Sequence, residues 1–314
     1  MISHKCTAII LLLSFFTAGL FSQDIFIKGL VLSEDSIPVQ YATIYDGSLK
    51  SGTFSDSLGR FSISIPSNIK ELHISAIGYK NKTITVGQDD NLFDFHIVLL
   101  NDTFSLKEVV ISSRIFKPKQ ITLGPRKKIK GAIIFCSQLN RETGLYIPNH
   151  EQIHGDIKSI EVYLKKESEE TKRLIRLRIY SVDEALYPAK DLLLDNVLLQ
   201  VKKSKKNQLV KIDLEKYNIP IPSNGIVIVL ELVKSTHESY HNNLNKENTE
   251  KDKCSTFETI LVDNNTNRFA QWDRVDNGKW KNIDFTSFYK QHGLKVKNLV
   301  PYVKLIINEY ADRK

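Results

Sequence analysis

The apolar residues of this chain recur with a period of two, and this spacing constrains its fold most strongly. Successive side chains of a β-strand point to opposite faces, so alternating apolar and polar residues are typical of strands with one buried face. Seven short segments of this kind, separated by turn-forming residues, lie at 25–32, 41–46, 60–65, 71–77, 82–86, 93–100 and 107–112. They predict a seven-stranded antiparallel β-sandwich over residues 24–113.

The rest of the chain shows the same period. Nine further strand-like segments lie at 157–165, 174–182, 195–202, 208–214, 226–233, 257–263, 268–275, 279–285 and 302–308. They predict a larger, jelly-roll-like β-sandwich over residues 131–310. A nearly purely polar stretch, 235–255, interrupts this series and is typical of a long loop. We therefore expect an all-β protein with two sandwiches.

The amino terminus has the composition of an export signal. The chain begins with MISHK, continues with an uncharged apolar run and reaches the polar boundary SQD. This order predicts a secretory signal peptide at residues 1–22 and places the protein in the periplasm, at the outer membrane or outside the cell. No second apolar run follows, so the mature chain is expected to have no membrane span. Cys6 precedes the apolar run, which argues against a lipid anchor, and Cys136 and Cys254 alone form no disulfide framework.

Basic residues are concentrated between the two predicted sandwiches. The formal net charge is +8, and the segment KPKQITLGPRKKIK at 117–130 contains no acidic residue. Export removes nucleic acid as a partner, so we interpret residues 114–130 as a solvated basic linker.

Four blocks in the first predicted sandwich carry a family resemblance. They are Gly29-Leu30-Val31, Pro38-Val39 followed by Ala42-Thr43-Ile44, SDSLGRFSI at 55–63 and LHISAIGYK at 72–80. In order and spacing they resemble the carboxypeptidase regulatory-like domain, which is abundant in exported proteins of Bacteroidetes-type bacteria. The resemblance implies a transthyretin-like Greek-key sandwich. In true carboxypeptidases this domain accompanies a zinc-bearing catalytic domain with an H-x-x-E motif, and no histidine of this chain has a glutamate three residues later.

The third block also has a local physical explanation. Side chains at Ser55 and Asp56 can bind nearby backbone amides in a turn, and Gly59 supplies the backbone freedom that ends it. The strand that follows should direct Phe61, Ile63 and Ile65 into the core.

The segment HEQIH at 150–154 matches the zinc-protease pattern H-E-x-x-H. That chemistry needs both histidines on one face of a continuing helix, with the glutamate as general base. Pro148 precedes His150, and Gly155 follows His154, so a helix would have room for little more than one turn. We interpret the motif as a turn, and a zinc hydrolase using His150, Glu151 and His154 remains an alternative.

The second tryptophan, Trp280, is the candidate ligand contact. Asn277-Gly278 favours a two-residue hairpin turn, which would pair Asp276 with Lys279 and Trp272 with Ile283. Paired side chains share a face, so the two tryptophans would point to opposite sides of the sheet. Trp272 would then be a core residue, and Trp280 would be at least partly exposed.

Together these features predict a non-enzymatic exported protein of the cell envelope or surface that acts as a binding module. The alternative is a carbohydrate-binding component of a glycan-uptake system, and the second alternative is the zinc hydrolase. We predict no catalytic residue, no metal ligand and no cofactor. The expected partners are an envelope protein or a glycan, and not nucleic acid.

Overall fold

The computed structural model describes twelve stretches of the chain. They are residues 24–47, 51–87, 94–102, 118–125, 128–135, 141–164, 174–200, 203–234, 257–263, 269–275, 278–283 and 299–310. The predicted signal peptide, the three cysteines, the polar stretch 235–255 and the strand predicted at 107–112 lie outside these residues.

Within the described ranges the protein is built almost entirely of β-strands, which confirms the predicted fold class. The one helical segment among them is a single 3₁₀ turn, η1 (Glu215–Tyr217). None of the described residues forms a helix long and apolar enough to cross a membrane.

Seven strands form the first sandwich. They are β1 (Asp24–Ser33), β2 (Thr43–Asp46), β3 (Gly52–Phe54), β4 (Arg60–Pro66), β5 (Glu71–Ser75), β6 (Lys82–Thr85) and β7 (Asp94–Leu99). One sheet has the order β4-β1-β7, with β1 and β7 parallel, and the other has the order β3-β2-β5-β6. The short β3 was not predicted from the sequence.

Alternation accounts for the core between these two sheets. Phe61, Ile63 and Ile65 of β4 are buried as predicted, and they pack with the inward residues of β1, β2, β5 and β7. In the turn before β4, Asp56 acts as predicted: its Oδ1 accepts hydrogen bonds from the amides of Leu58 (2.8 Å) and Arg60 (2.9 Å). The prediction is wrong for Ser55, whose Oγ accepts from the distant amide of Ala42 (2.9 Å) and donates to the Val39 carbonyl (2.7 Å). Gly59 follows at a φ of 76°, a conformation that glycine adopts without steric cost.

Fourteen described strands form the second sandwich. They are β8 (Lys119–Leu123), β9 (Lys128–Phe135), β10 (Arg141–Ile147), β11 (Gly155–Leu164), β12 (Leu174–Val182), β13 (Pro188–Asp191), β14 (Val197–Gln200), β15 (Gln208–Asp213), β16 (Ile226–Lys234), β17 (Phe257–Asp263), β18 (Gln271–Val275), β19 (Lys281–Asn282), β20 (Leu299–Pro301) and β21 (Val303–Glu309). Each of the nine segments predicted in this part of the chain overlaps one of them.

The second sandwich consists of two seven-stranded sheets. The first runs β13-β12-β16-β10-β18-β19, with β14 paired to β12, and the second runs β20-β17-β11-β21-β8, with β15 paired to β11 and β9 to β17. The main core lies between them and is dominated by Ile, Leu and Val from β10, β11, β12, β16 and β21. We call the side of the first sheet that is turned away from this core the outer face.

The basic segment 114–130 is not simply a linker, and the prediction is wrong in this respect. Residues 119–123 form β8, which pairs with β21 from Leu305↔Leu123 to Glu309↔Lys119. Ile121 and Leu123 pack against the main core, while Gln120 and Thr122 are exposed. Two apolar side chains at alternate positions are therefore sufficient to add this charged stretch to the edge of a sheet.

Candidate functional site

The hairpin that contains both tryptophans forms in a register different from the predicted one. Trp272 pairs with Asn282, and Asp273 pairs with Lys281. The amide of Ile283 correspondingly donates to the carbonyl of Gln271 (3.0 Å). The prediction from a two-residue turn, which paired Trp272 with Ile283, is wrong by one residue.

This shift reverses the relation between the two tryptophans. Because side chains alternate along a strand, a shift of one residue transfers the partner strand's side chains to the opposite face. Trp272 and Trp280 consequently lie on the same face, where both belong to one aromatic and aliphatic cluster on the outer face. Trp272 is buried, as predicted, and Trp280 is half-buried, which agrees with the predicted partial exposure.

Trp272 lies at the centre of this cluster. Its cross-strand neighbour is Gly144, and a Cβ atom at Gly144 would lie only 2.7 Å from methyl groups of Val227 and Val229. The ring of Tyr187 covers Trp272 at a centroid distance of 4.7 Å and is itself 47% exposed. Trp272 Nε1 is buried and has no hydrogen-bond partner among the described residues.

Beside this cluster runs a line of four charged side chains, one from each of four adjacent strands. Arg176 of β12 pairs with Glu231 of β16, Glu231 pairs with Glu142 of β10, and Glu142 pairs with Arg274 of β18. We call these four residues the charged row. Two like charges stand directly opposite each other at its centre, and an arginine flanks each of them. Arg176, Glu231 and Glu142 are each at most 2% exposed.

Glu142 accepts hydrogen bonds from three side chains. Arg178 Nη1 donates to one carboxylate oxygen (3.0 Å), the Tyr180 hydroxyl donates to the same oxygen (2.9 Å), and Arg274 Nε donates to the other. Burial opposes ionisation, but the charges of Arg274 and Arg178 outweigh it and hold the pKa of Glu142 below its ordinary value. Glu142 is therefore the ionised centre of this network.

The opposing glutamate has the opposite shift. Burial raises the pKa of Glu231, and Arg176 is its single ion-pair partner among the described residues, with Nη2 at 2.8 Å. The negative charge of Glu142 across the strands raises this pKa further. Two facing carboxylates thus differ because one of them contacts two arginines and the other contacts one.

Arg274 connects the charged row to the candidate ligand contact. Its guanidinium carbon lies 4.4 Å from the centroid of the Trp280 ring, and its Nη2 donates to the Tyr180 hydroxyl (2.9 Å). Tyr180 and Trp280 meet edge to face at 5.4 Å. Burial raises the pKa of Tyr180 well above its ordinary value, so its hydroxyl keeps its proton. These contacts fix the orientation of the Trp280 ring at the sheet edge.

The HEQIH segment forms a turn between β10 and β11, as the turn interpretation predicted. Asn149 organises this turn: its Oδ1 accepts from the amide of Ile153 (2.8 Å), and its Nδ2 donates to the Ile153 carbonyl (3.0 Å). Gln152 has a φ of 50°, which a helix cannot contain. His150, Glu151 and His154 are exposed. In the described part of the chain, no three or more His, Cys, Asp and Glu side chains are placed to hold a metal ion.

The charged row was missed at the sequence level. Arg176 and Arg178 alternate with apolar residues in the segment LIRLRIY, a pattern that is typical of a strand with one solvated face. Glu142 lies in a strand that the pattern did not predict. The one available signal was that the two arginines and Glu231 each interrupt an apolar run of a predicted strand.

Comparison with known proteins assigns the first sandwich to a domain family. No curated protein matches this chain. Residues 27–111 match the family model of the CarboxypepD_reg-like domain, a match that spans β1 to β7. The N-terminal sandwich of this protein is therefore a carboxypeptidase regulatory-like domain.

Proposed function

We propose that this protein is a non-enzymatic exported binding protein of the cell envelope or cell surface. Its binding site is the outer face of the second sandwich around Trp280. The regulatory-like domain has a structural role and does not form that site. The amino-terminal signal composition supports export.

The observation that carries this proposal is the accessible aromatic surface that Trp280 and Tyr187 form on the outer face. Trp280 is half-buried and is held from one side by Arg274, and Tyr187 exposes 47% of its surface above Trp272. Aromatic side chains that are fixed in orientation and still accessible contribute strongly to binding, because they bury a large area with little loss of conformational freedom.

The non-enzymatic part of the proposal is supported by the HEQIH turn. Zinc proteases aim two histidines at one metal from a single helix face. The positive φ of Gln152 is incompatible with such a helix between His150 and His154. We expect purified full-length protein, prepared without metal-affinity resin, to contain well under one equivalent of zinc. Stoichiometric zinc that is lost on replacing His150 and His154 with alanine would contradict the proposal and favour the hydrolase.

Binding can be tested with envelope fractions immobilised on a sensor surface. We expect saturable binding of wild-type protein and about tenfold weaker binding of Trp280→Ala, the loss expected for one stacking contact. Phe26→Ala is the matched control, because Phe26 is a 51% exposed aromatic residue on the other sandwich. Equal binding by all three proteins would refute the assignment of the site.

A glycan ligand is the second candidate, and one feature favours it. Asn282, which is exposed, pairs with Trp272 and shares the face of Trp280. A flat aromatic ring beside an amide side chain suits a sugar, which stacks through its apolar face and hydrogen-bonds through its hydroxyl groups. Titration with a panel of soluble neutral oligosaccharides, followed by tryptophan fluorescence, tests this, since both tryptophans of the chain lie in the site. Binding to envelope fractions without any response to the sugars would favour a protein partner.

A further inference from the structure

The two sandwiches contact each other through a turn at the start of β2. Arg176 Nη1 donates to the carbonyl of Tyr41 (2.6 Å), and its Nη2 donates to Thr43 Oγ1 (3.4 Å). Asn196 Nδ2 donates to the carbonyl of Gln40 (3.2 Å). Two successive carbonyls of the regulatory-like domain therefore accept hydrogen bonds from the second sandwich.

The backbone at Tyr41 is shaped for this contact. Tyr41 has a φ of 54°, a left-handed conformation that is uncommon for a bulky residue. Successive carbonyls of an extended chain point in opposite directions, so a break in the extended backbone is needed for both to face one partner. The Tyr41 amide donates to the Ser55 carbonyl (3.1 Å), which holds the turn against its own sandwich. Conformations of this kind persist where surrounding contacts compensate for their cost.

On the side of the second sandwich, Arg176 forms all of its contacts only when both sandwiches are in place. It is 1% exposed, forms an ion pair with Glu231 and donates to Asn196 Oδ1 (3.3 Å). Its guanidinium carbon also lies 5.6 Å from the centroid of the Phe54 ring of the regulatory-like domain. A buried cation is tolerated only when its donors are satisfied, and this arginine uses both sandwiches to satisfy them.

A second contact lies beside the first. Gly78, which follows β5, has a φ of +81°, and a Cβ atom built there would lie 3.1 Å from the Leu194 carbonyl. The turn after β5 therefore approaches the loop that contains Asn196 so closely that a side chain at this position would crowd it.

We propose that these contacts are a dedicated docking clasp, which makes the regulatory-like domain and the second sandwich a single rigid unit. The clasp consists of Arg176 and Asn196 on one side and of Gln40, Tyr41 and Thr43 on the other. The regulatory-like domain thereby caps one end of the charged row, while Trp280 lies at the opposite end. A ligand that binds at Trp280 therefore binds to one rigid body, in which the two sandwiches keep a fixed relative orientation. This inference does not depend on the nature of that ligand.

Nitrogen-15 relaxation of the deuterated full-length chain tests the clasp, because it reports how fast each sandwich tumbles. In the wild-type protein we expect one rotational correlation time for both. In the double variant Arg176→Gln/Glu231→Gln, which removes the ion pair without leaving a buried unpaired charge, the regulatory-like domain should tumble about twofold faster than the larger sandwich. Arg60→Gln is the control, since Arg60 is an exposed arginine in an ion pair with Asp56, and it should leave a single correlation time.

Two results would overturn the proposal. The first is separate tumbling of the two sandwiches in the wild-type protein. The second is a single correlation time in the double variant. If the double variant fails to fold, Asn196→Leu decides, because Asn196 is half-buried and contacts both the Gln40 carbonyl and Arg176. Faster tumbling of the regulatory-like domain in Asn196→Leu supports the clasp, and unchanged tumbling refutes it.

Discussion

Replacing Glu142 with alanine tests whether the charged row is held together as the structure indicates. The substitution removes the acceptor of three side-chain hydrogen bonds. Arg274, whose side chain is 15% exposed, loses its carboxylate partner, whereas Arg178 keeps Asp191 at 2.8 Å. The Tyr180 hydroxyl also loses the acceptor of its proton.

The magnitude follows from these losses. Removing one partner of a buried ion pair costs about 3–5 kcal/mol, because the remaining charge stays buried and unpaired. Relief of the repulsion between Glu142 and Glu231 offsets part of this cost, and the orphaned tyrosine hydroxyl adds to it. We therefore expect Glu142→Ala to lower the free energy of unfolding by about 3–5 kcal/mol. Glu142→Gln retains an acceptor oxygen and should cost less.

Equilibrium unfolding in urea, followed by tryptophan fluorescence, measures this effect, because both tryptophans lie in the second sandwich. The midpoint should fall by about 1–2 M. Glu151→Ala is the matched control: Glu151 is an exposed glutamate in the same sandwich, and its loss should change stability by less than about 0.5 kcal/mol. Equal midpoints for Glu142→Ala and Glu151→Ala would refute this account of the charged row.

Three further predictions concern the same face. Trp272→Ala should destabilise the second sandwich by about 3–5 kcal/mol in urea unfolding, and Trp280→Ala should cost clearly less, because only Trp272 is fully buried. Gly144→Ala should cost about 1–3 kcal/mol in the same assay, since its methyl group would overlap two valine side chains, and a neutral effect would contradict the packing. The two glutamates should respond oppositely to pH. The pKa of Glu142 is lowered, so its contribution to stability is present above about pH 4.5 and is lost as the pH falls through the lowered pKa. The pKa of Glu231 is raised, so its contribution is present below about pH 4.5 and is lost as the pH rises through the raised pKa. Acid titration of stability should therefore be shallower for Glu142→Gln and steeper for Glu231→Gln than for wild type, and equal slopes would contradict the pKa shifts.

The strands and turns of the regulatory-like domain were predictable because they depend on residues that are close together in the sequence. Alternation identified six of its described strands, and in the turn before β4 the Asp56 side chain binds amides two and four residues away. The HEQIH turn was predictable for the same reason, since Pro148 and Gly155 restrict the backbone of their own neighbourhood. A family resemblance added the arrangement of the first sandwich, which alternation alone does not specify.

The register of the hairpin that contains Trp272 could not be predicted from neighbouring residues alone. Asn277-Gly278 favours a particular turn, but the pairing of Trp272 with Asn282 also depends on how both side chains of the pair pack on the outer face. Shifting a strand by one residue changes few backbone hydrogen bonds and exchanges its faces completely. A preference of the turn residues is therefore not enough to predict the register, which must also suit the packing of the outer face.

The sequence by itself determined that the chain forms short strands and that residues 24–113 resemble a known sandwich, and it favoured a turn for HEQIH. Only the tertiary structure decided which strands became neighbours. The bond between Glu142 and Arg274 joins residues 132 positions apart, and the contact between Arg176 and Tyr41 joins residues 135 positions apart. Strand formation depends on the residues adjacent in sequence, whereas these contacts depend on the order and register of strands that are distant along the chain. The charged row and the clasp therefore become visible only once the sheets are assembled.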